Sequence, residues 1–374
     1  MANFIEMMRH APCCQCGIVA VQTRRRVLLG ASAVVGGLLA DSSFGRALAQ
    51  AAKPTAAGII DVHHHLSPPT FITALNKHKL GERPILNWTP ARSIEDMDRA
   101  GVAGSITSIT HPGLWYGDIE ETRRLARECN DYAAKLATDY PGRFGIFASI
   151  PLPDIEGSLR EIEYAFDTLK ADGIGVMTSF GDKWLGDKTF DPVMRELDRR
   201  NAVLYTHPTV ANCCRNLLPD VHYSVVELAT DTTRAIANLV FTGTASRYPN
   251  IRFIFSHAGG AMPFIYQRFA SYPFLDKGLG LGLNIGERVP NGVLKTLQSF
   301  YYDTAQTAYP MAMEPLKKLI GTSQILFGTD FPFRASADYV KALPDSGFTD
   351  VELLAIYREN AIRMMPRLAD MRAP

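Results

Sequence analysis

The stretch GIIDVHHHLSPPT, residues 58–70, places an aspartate and three consecutive histidines behind an apolar run. Neutral imidazole is a common ligand of divalent metals. Successive side chains of a strand point to opposite faces, so His63 and His65 share one face and His64 takes the other. Two imidazoles at i and i+2 converge on one ion if they face a shared interior. Asp61 falls on the same face by this alternation and is expected behind the pair as a deeper hydrogen-bonding partner. His64 is expected to point outward, packed or hydrogen-bonded. Further histidines and carboxylates also follow apolar runs: Thr110-His111-Pro112, Thr206-His207-Pro208, Ser256-His257 ahead of Gly259 and Gly260, Asp303, and Thr329-Asp330. Six of the nine histidines stand at such ends, which scatter would not produce.

Elements that converge these ends can be read from the same pattern. Eight short apolar runs recur, at Gly58–Leu66, Ala103–Thr110, Arg143–Leu152, Ile174–Phe180, Ala202–Thr209, Arg252–Gly260, Phe300–Ala305 and Ile325–Phe333. Helical spacing lies between them, as in Ala126, Cys129, Asn130, Ala133 and Leu136, or Ile162, Ala165, Phe166 and Leu169. Asp231 is placed to cap a third helix running through Ile236, Leu239 and Val240. Strands alternating with helices imply parallel strands and right-handed crossovers, and eight units fit an α/β fold of the (β/α)8 TIM-barrel type. An open doubly wound sheet is the alternative, but no Gly-rich phosphate turn follows the first run. In a barrel, active sites lie at the C-terminal strand ends, where these polar residues fall. The Gly-rich stretch 278–286 reads as a mobile loop near the mouth. Residues 61–95 and 268–299 are the longest inter-element stretches and are expected to wall a pocket.

In this order, Asp61-x-His63-x-His65, His207, His257 with Gly259-Gly260, and Gly328-Thr329-Asp330 resemble the metal-dependent amidohydrolase superfamily. DTTRAIANLVFTGTASRYPNIRFIFSHAGGAMP, YYDTA, FGTDFPF and ENAIRMMPRL are similar to its decarboxylase-type branch, the aminocarboxymuconate-semialdehyde decarboxylase-like proteins of amidohydrolase-related family 2. The resemblance runs from about residue 58 to the end. It implies that His63, His65, His207 and Asp330 ligate one divalent metal and that His257 is the base beside it. Asp330 is also expected to take part in catalysis. Three imidazoles and a carboxylate suit Zn²⁺, with Mn²⁺ as the alternative. No lysine after the fourth run is placed to bridge two metals, so a mononuclear site is expected.

For the substrate, the resemblance points to Arg268, eleven residues after His257. In the aminocarboxymuconate-semialdehyde enzyme an arginine at this spacing enters the neighbouring subunit's site and binds carboxylate. That enzyme has another arginine where Glu95 stands here, with Arg92 as a nearby substitute. His111, Trp115 and Arg92 complete the expected substrate-binding set, and Trp88 and Tyr116 are further candidates for an aromatic pocket wall. A homodimer is implied.

Residues 1–49 read as an export signal. Thr23-Arg24-Arg25-Arg26-Val27-Leu28-Leu29 resembles a twin-arginine motif, an apolar run too short to span a bilayer follows, and Ala47-Leu48-Ala49 offers a cleavage site. Residues 50–374 form the expected catalytic domain, exported to the periplasm or secreted, with no membrane association after signal removal. Cys13, Cys14 and Cys16 fall in the leader. Cys129, Cys213 and Cys214 remain, too few for a disulfide framework, and read as buried free thiols. A net charge of +1 with no basic block excludes nucleic acid as the expected partner. The resulting reading is a non-oxidative carboxy-lyase of a small aromatic or unsaturated acid, such as a salicylate-type hydroxybenzoate. A hydrolase opening a lactone or amide would use the same residues. An exported metal- or ligand-binding protein without turnover is the reading from another class; storage needs no base beside the metal.

Overall fold

The computed structural model describes residues 58–371. The expected leader, with its three cysteines and expected cleavage site, lies outside the described residues. Eight strands form one parallel sheet in chain order: β1 (Ile59–His65), β2 (Val102–Ser108), β3 (Phe144–Ser149), β4 (Gly173–Met177), β5 (Val203–His207), β6 (Arg252–Phe255), β7 (Tyr301–Asp303) and β8 (Ile325–Leu326). The ring closes where Val62 N–H donates to Phe327 O (2.9 Å) and His65 N–H donates to Phe331 O (2.8 Å). This is the (β/α)8 barrel that the strand–helix alternation predicts.

Helices α1 (Pro90–Ala100), α2 (Ile119–Asp139), α3 (Ile155–Glu163), α4 (Asp191–Arg199), α5 (Glu227–Phe241), α6 (Met262–Leu279), α7 (Pro310–Ile320) and α8 (Ser336–Ala342) return the chain to the sheet. In α2, Asp118 accepts from Glu121 N–H at 2.8 Å and caps the start, and Leu125, Ala126, Cys129, Asn130, Ala133 and Leu136 bury one face. Asp231, read as a cap, lies inside α5, which begins four residues earlier. Its buried carboxylate accepts instead from Thr178 Oγ1, from Ser179 Oγ (3.2 Å) and from Trp184 Nε1 (2.8 Å). These partners come from the end of β4 and the hairpin after it, and long-range partners of this kind cannot be read from helical spacing.

The core has two layers. One lies between strands and helices. The other fills the barrel, where Ile60, Val62, Phe147, Tyr205, Ile254 and Leu326 pack against Met364, Met365, Leu368 and Met371. Each large side chain buried there contributes about 1.5–3 kcal/mol. The C-terminal segment thus closes the barrel end opposite the histidines. Arg358 ties it to the start of β1, donating to Gly58 O (2.6 Å) and to the carbonyls of Ala369 and Met371 (both 3.0 Å).

The Gly-rich stretch is only partly a loop, at residues 280–284. Helix α6 runs into it, Gly280 ends the helix in the left-handed region, and Asp276 accepts from Leu283 N–H and Ile285 N–H (both 2.9 Å). Among the described residues no helix is long and apolar enough to cross a membrane. Cys129 and Cys214 are buried, but Cys213 is exposed, with its Sγ 2.9 Å from that of Cys214.

Candidate metal centre

Strand β1 does not alternate throughout. Asp61 pairs with Ser105 and His64 with Thr107, so three steps on β1 oppose two on β2. This bulge inserts one residue. Val62 and His63 therefore both face inward, with His65, while Asp61 and His64 face the helical shell. His64 stacks on Phe331 (4.7 Å between ring centroids), and its nitrogens meet Asp61 Oδ2 (3.2 Å) and Ser93 Oγ (2.8 Å). The outward placement of His64 stands. Asp61 does not back the imidazoles; it accepts from Thr329 Oγ1 (2.6 Å), Thr329 N–H (3.2 Å) and His63 N–H (2.9 Å), joining β1 to the turn after β8.

At the C-terminal mouth, one ligand atom from each of His63, His65, His207 and Asp330 lies within 4.8 Å of the others. Nε2 of His63 and Nε2 of His65 are 3.2 Å apart, and Asp330 Oδ1 is 3.2 Å and 2.9 Å from them and 4.0 Å from His207 Nε2. The opposite nitrogens are occupied. Nδ1 of His63 faces Asp303 Oδ2 (2.8 Å), Nδ1 of His65 faces Ser108 O (3.2 Å) and Nδ1 of His207 faces Pro208 O (2.9 Å). Acceptors there keep the proton on Nδ1 and leave the Nε2 lone pairs directed at one another, the tautomer that ligates a metal.

The electrostatics fit a cation. His207 Nε2 and His257 Nε2 are buried without a hydrogen-bond partner, a costly arrangement unless something binds them. Burial, followed by the neighbouring His65 and His63, holds the His207 pKa well below the usual histidine range. Burial also disfavours a proton on His63, but Asp303 and Asp330 outweigh it and raise that pKa to about 10. The field that draws a proton to this ring would equally draw a divalent ion. Burial opposes the Asp330 charge, yet the neighbouring His63, then His257 and His65, hold its pKa well below the carboxylate range. Three nitrogens and one oxygen match a mononuclear divalent centre.

Two residues of the centre adopt left-handed backbone, Asp330 (φ 64°) and His257 (φ 55°). Non-glycine residues are uncommon there, and such outliers cluster at functional sites. Asp303 Oδ1 accepts from His257 N–H (2.9 Å) and fixes the turn. Gly260 (φ 66°) completes it, since a Cβ there would collide with Ala229 O. The turn aims His257 Nε2 at Asp330 Oδ2, 3.5 Å away, while Gln306 Nε2 donates to the same oxygen at 2.8 Å. Gly328 admits the centre from below: a Cβ there would lie 2.8 Å from His63 Cβ and 3.0 Å from Asp303 Cβ.

A cavity of about 550 Å³ opens over the centre, lined by His207, His257 and Asp330 on one side and by Glu82, His111 and Tyr223 on another. His111 Nδ1 meets Thr209 Oγ1 at 2.8 Å, and burial, then Arg215 and His222, push its pKa down to about 4. It faces the cavity as a neutral imidazole. The other expected substrate residues lie elsewhere. Trp115 and Tyr116 line a separate cavity of about 380 Å³. Arg92 donates to Asn87 O (2.7 Å) and borders a surface recess with Glu95, because α1 carries it away from the mouth. Trp88 is packed in the core and donates to Ser93 Oγ (2.9 Å). Arg268 is exposed on α6 and does not line this chain's cavity. Residues 268–299 contribute nothing to the cavity wall; the wall comes instead from 222–229 after β5 and 306–312 after β7. Gln306, Glu82 and Tyr223 carried no sequence signal beyond residue type. Asp303 was legible as a strand end, though not as the partner of His63.

Fold and site together define a barrel metalloprotein whose centre lies at the C-terminal ends of strands 1, 5 and 8. The family described as amidohydrolase matches residues 60–367, and the chain belongs to it, within the decarboxylase-like branch. A decarboxylase (yanB) of Aspergillus niger is 34% identical over 338 residues, covering 84% of this chain and 89% of the relative. The 6-methylsalicylic acid decarboxylase acuB of Aspergillus aculeatus is 35% identical over 329 residues, covering 83% and 96%. Among solved structures, a dihydroxybenzoic acid decarboxylase of Polaromonas sp. JS666, with bound manganese and the inhibitor 2-nitroresorcinol, shares the fold. Its TM-score is 0.71 at 20% identity, over 83% of this chain and 97% of that one.

Proposed function

We propose that the protein is a metal-dependent, non-oxidative decarboxylase of small aromatic acids of the salicylate type, 6-methylsalicylate being the first to assay. The observation that carries this is the convergence of three Nε2 lone pairs and Asp330 Oδ1, with the unpaired His257 Nε2 beside Asp330 Oδ2. The acuB relative, aligned over nearly its whole length, supports the substrate class.

His63, His65, His207 and Asp330 would hold the ion. When bound, such an ion would supply positive charge that stabilises negative charge developing on the substrate's oxygens. The chain's own groups do the rest. His257 and Asp330 hold a proton between Nε2 and Oδ2, and either atom delivers it to the ring carbon bearing the carboxylate. The bond from that carbon to the carboxylate breaks, carbon dioxide leaves, and its electron pair restores the aromatic ring. Gln306, donating to Oδ2, fixes the carboxyl plane. The test is a metal-reconstituted assay on a panel of hydroxybenzoates, following carbon dioxide, with lactones as the hydrolase arm. Acid release from lactones without carbon dioxide from any acid overturns the reading.

The donor set suits Zn²⁺ first and Mn²⁺ second, and the manganese in the Polaromonas structure keeps the second in play. Metal analysis of the isolated protein decides. Export through the twin-arginine leader predicts a periplasmic or secreted mature chain beginning near Gln50, read by N-terminal sequencing. A homodimer is supported by α6, which presents Phe264 (89% exposed), Phe274 (79%) and Leu279 (68%) on the element that carries Arg268. Sedimentation gives the stoichiometry. An Arg268→Ala protein with raised KM and unchanged metal content supports a substrate role for that arginine.

A further inference from the structure

The cavity is electrically lopsided. At one end is the cation-attracting centre. On the wall from the loop after β1 is Glu82, whose carboxylate accepts from Tyr223 Oη. Glu82 is half-buried, so solvent only partly screens its charge. Burial raises its pKa and His222 lowers it; Glu82 and Asp330 line the same cavity. Among the described lining residues the only arginine is Arg334, which is exposed at the rim, and there is no lysine.

An aromatic acid must turn its carboxylate to the metal centre. Whatever substituent projects toward the other wall then meets Glu82. The geometry points to Glu82 as a charge filter: it accepts a ring hydroxyl as a hydrogen-bond donor, tolerates a methyl, and rejects a second anionic group. Tyr223 positions the carboxylate by donating to one oxygen, leaving the other free. Beside Glu82 the lining offers only the imidazole of His222, with Arg334 exposed at the rim, whereas a dicarboxylate site would need an arginine fork there. The chain is thereby set for monocarboxylates, an inference that rests on the proposed decarboxylase reading.

The test compares 6-methylsalicylate with a salicylate bearing a second ring carboxylate, on metal-loaded protein. Both kcat/KM and calorimetric binding are measured for wild type and Glu82→Gln. Wild type should favour the monoacid by about 100-fold, the scale of an uncompensated like-charge contact at a partly buried site. Glu82→Gln should narrow that ratio by tenfold or more, mainly through KM and Kd. Tyr223→Phe, which keeps the charge, should leave most of the discrimination. Equal binding of both acids to wild type, or a ratio unmoved in Glu82→Gln, overturns the filter. If neither acid is turned over, the decarboxylase reading fails in the activity arm, while the binding ratio still decides the role of Glu82.

Discussion

Asp303→Asn is the sharpest probe of how the metal centre is held. Asp303 is fully buried and serves three donors: His63 Nδ1 (2.8 Å) on Oδ2, and His257 N–H (2.9 Å) and Ala305 N–H (3.0 Å) on Oδ1. Asparagine has the same shape but only one accepting atom. With its carbonyl toward the two backbone N–H groups, its amide N–H₂ faces His63 Nδ1. Turned the other way, it strands two buried N–H groups at about 1–3 kcal/mol each. The first orientation therefore prevails, and His63 Nδ1 must accept. The ring proton moves to Nε2, the atom facing His65 and Asp330, where it blocks ligation. Loss of such an orienting partner costs about 10–100-fold in metal affinity, or about 1.4–2.7 kcal/mol. Competition against a chelator of known affinity measures this, with circular dichroism confirming the fold. A folded D303N protein that binds metal as tightly as wild type would refute the tautomer argument.

His64→Asn should retain full metal content while losing about 1–3 kcal/mol of stability, because Asp61 and Ser93 lose a buried partner; metal analysis and urea unfolding read the two effects. His63→Asn and His65→Asn should lose the metal, and an empty site in H64N instead would mean that the inward face of β1 is misassigned. Gly328→Ala, whose Cβ would press on His63 and Asp303, should cost about 1–3 kcal/mol and lower metal occupancy, with unfolding unchanged from wild type as the contrary result. Asp330→Asn should abolish carbon dioxide release; normal release would end the proton-delivery account. Chelator removal of the metal should lower Tm, since an ion at 1,000 times its Kd stabilises by about 4 kcal/mol; identical melting curves with and without chelator would count against a folded-state site.

The barrel and the convergence of His63, His65, His207 and Asp330 were legible because strand ends are marked by residue type. Apolar runs stop at His207, His257 or Asp330, and a closed barrel leaves their tips nowhere to go but one mouth. What was not legible depends on register and on distant pairing. Strict alternation puts Asp61 with His63, and only a bulge, invisible in one strand's sequence, puts it with His64. Asp231 carries a cap's residue type, but its partners come from more than forty residues away. Arg92 and Trp88 share a loop-and-helix stretch with Glu82, yet only Glu82 reaches the cavity. Which way a loop folds depends on contacts that residue types do not encode.

The segment that closes the far end of the barrel also sets the order of events in the protein's making. β1 carries two ligands and emerges early, but its start is pinned by Arg358 and its interior is filled by Met364 to Met371. Asp330, the fourth member of the cluster, lies 123 residues after His207. A growing chain therefore holds neither a complete cage before Asp330 nor a filled barrel before Met371 has been made. The four-residue cage and the filled barrel thus come together only when the two ends of the barrel's chain meet at β1.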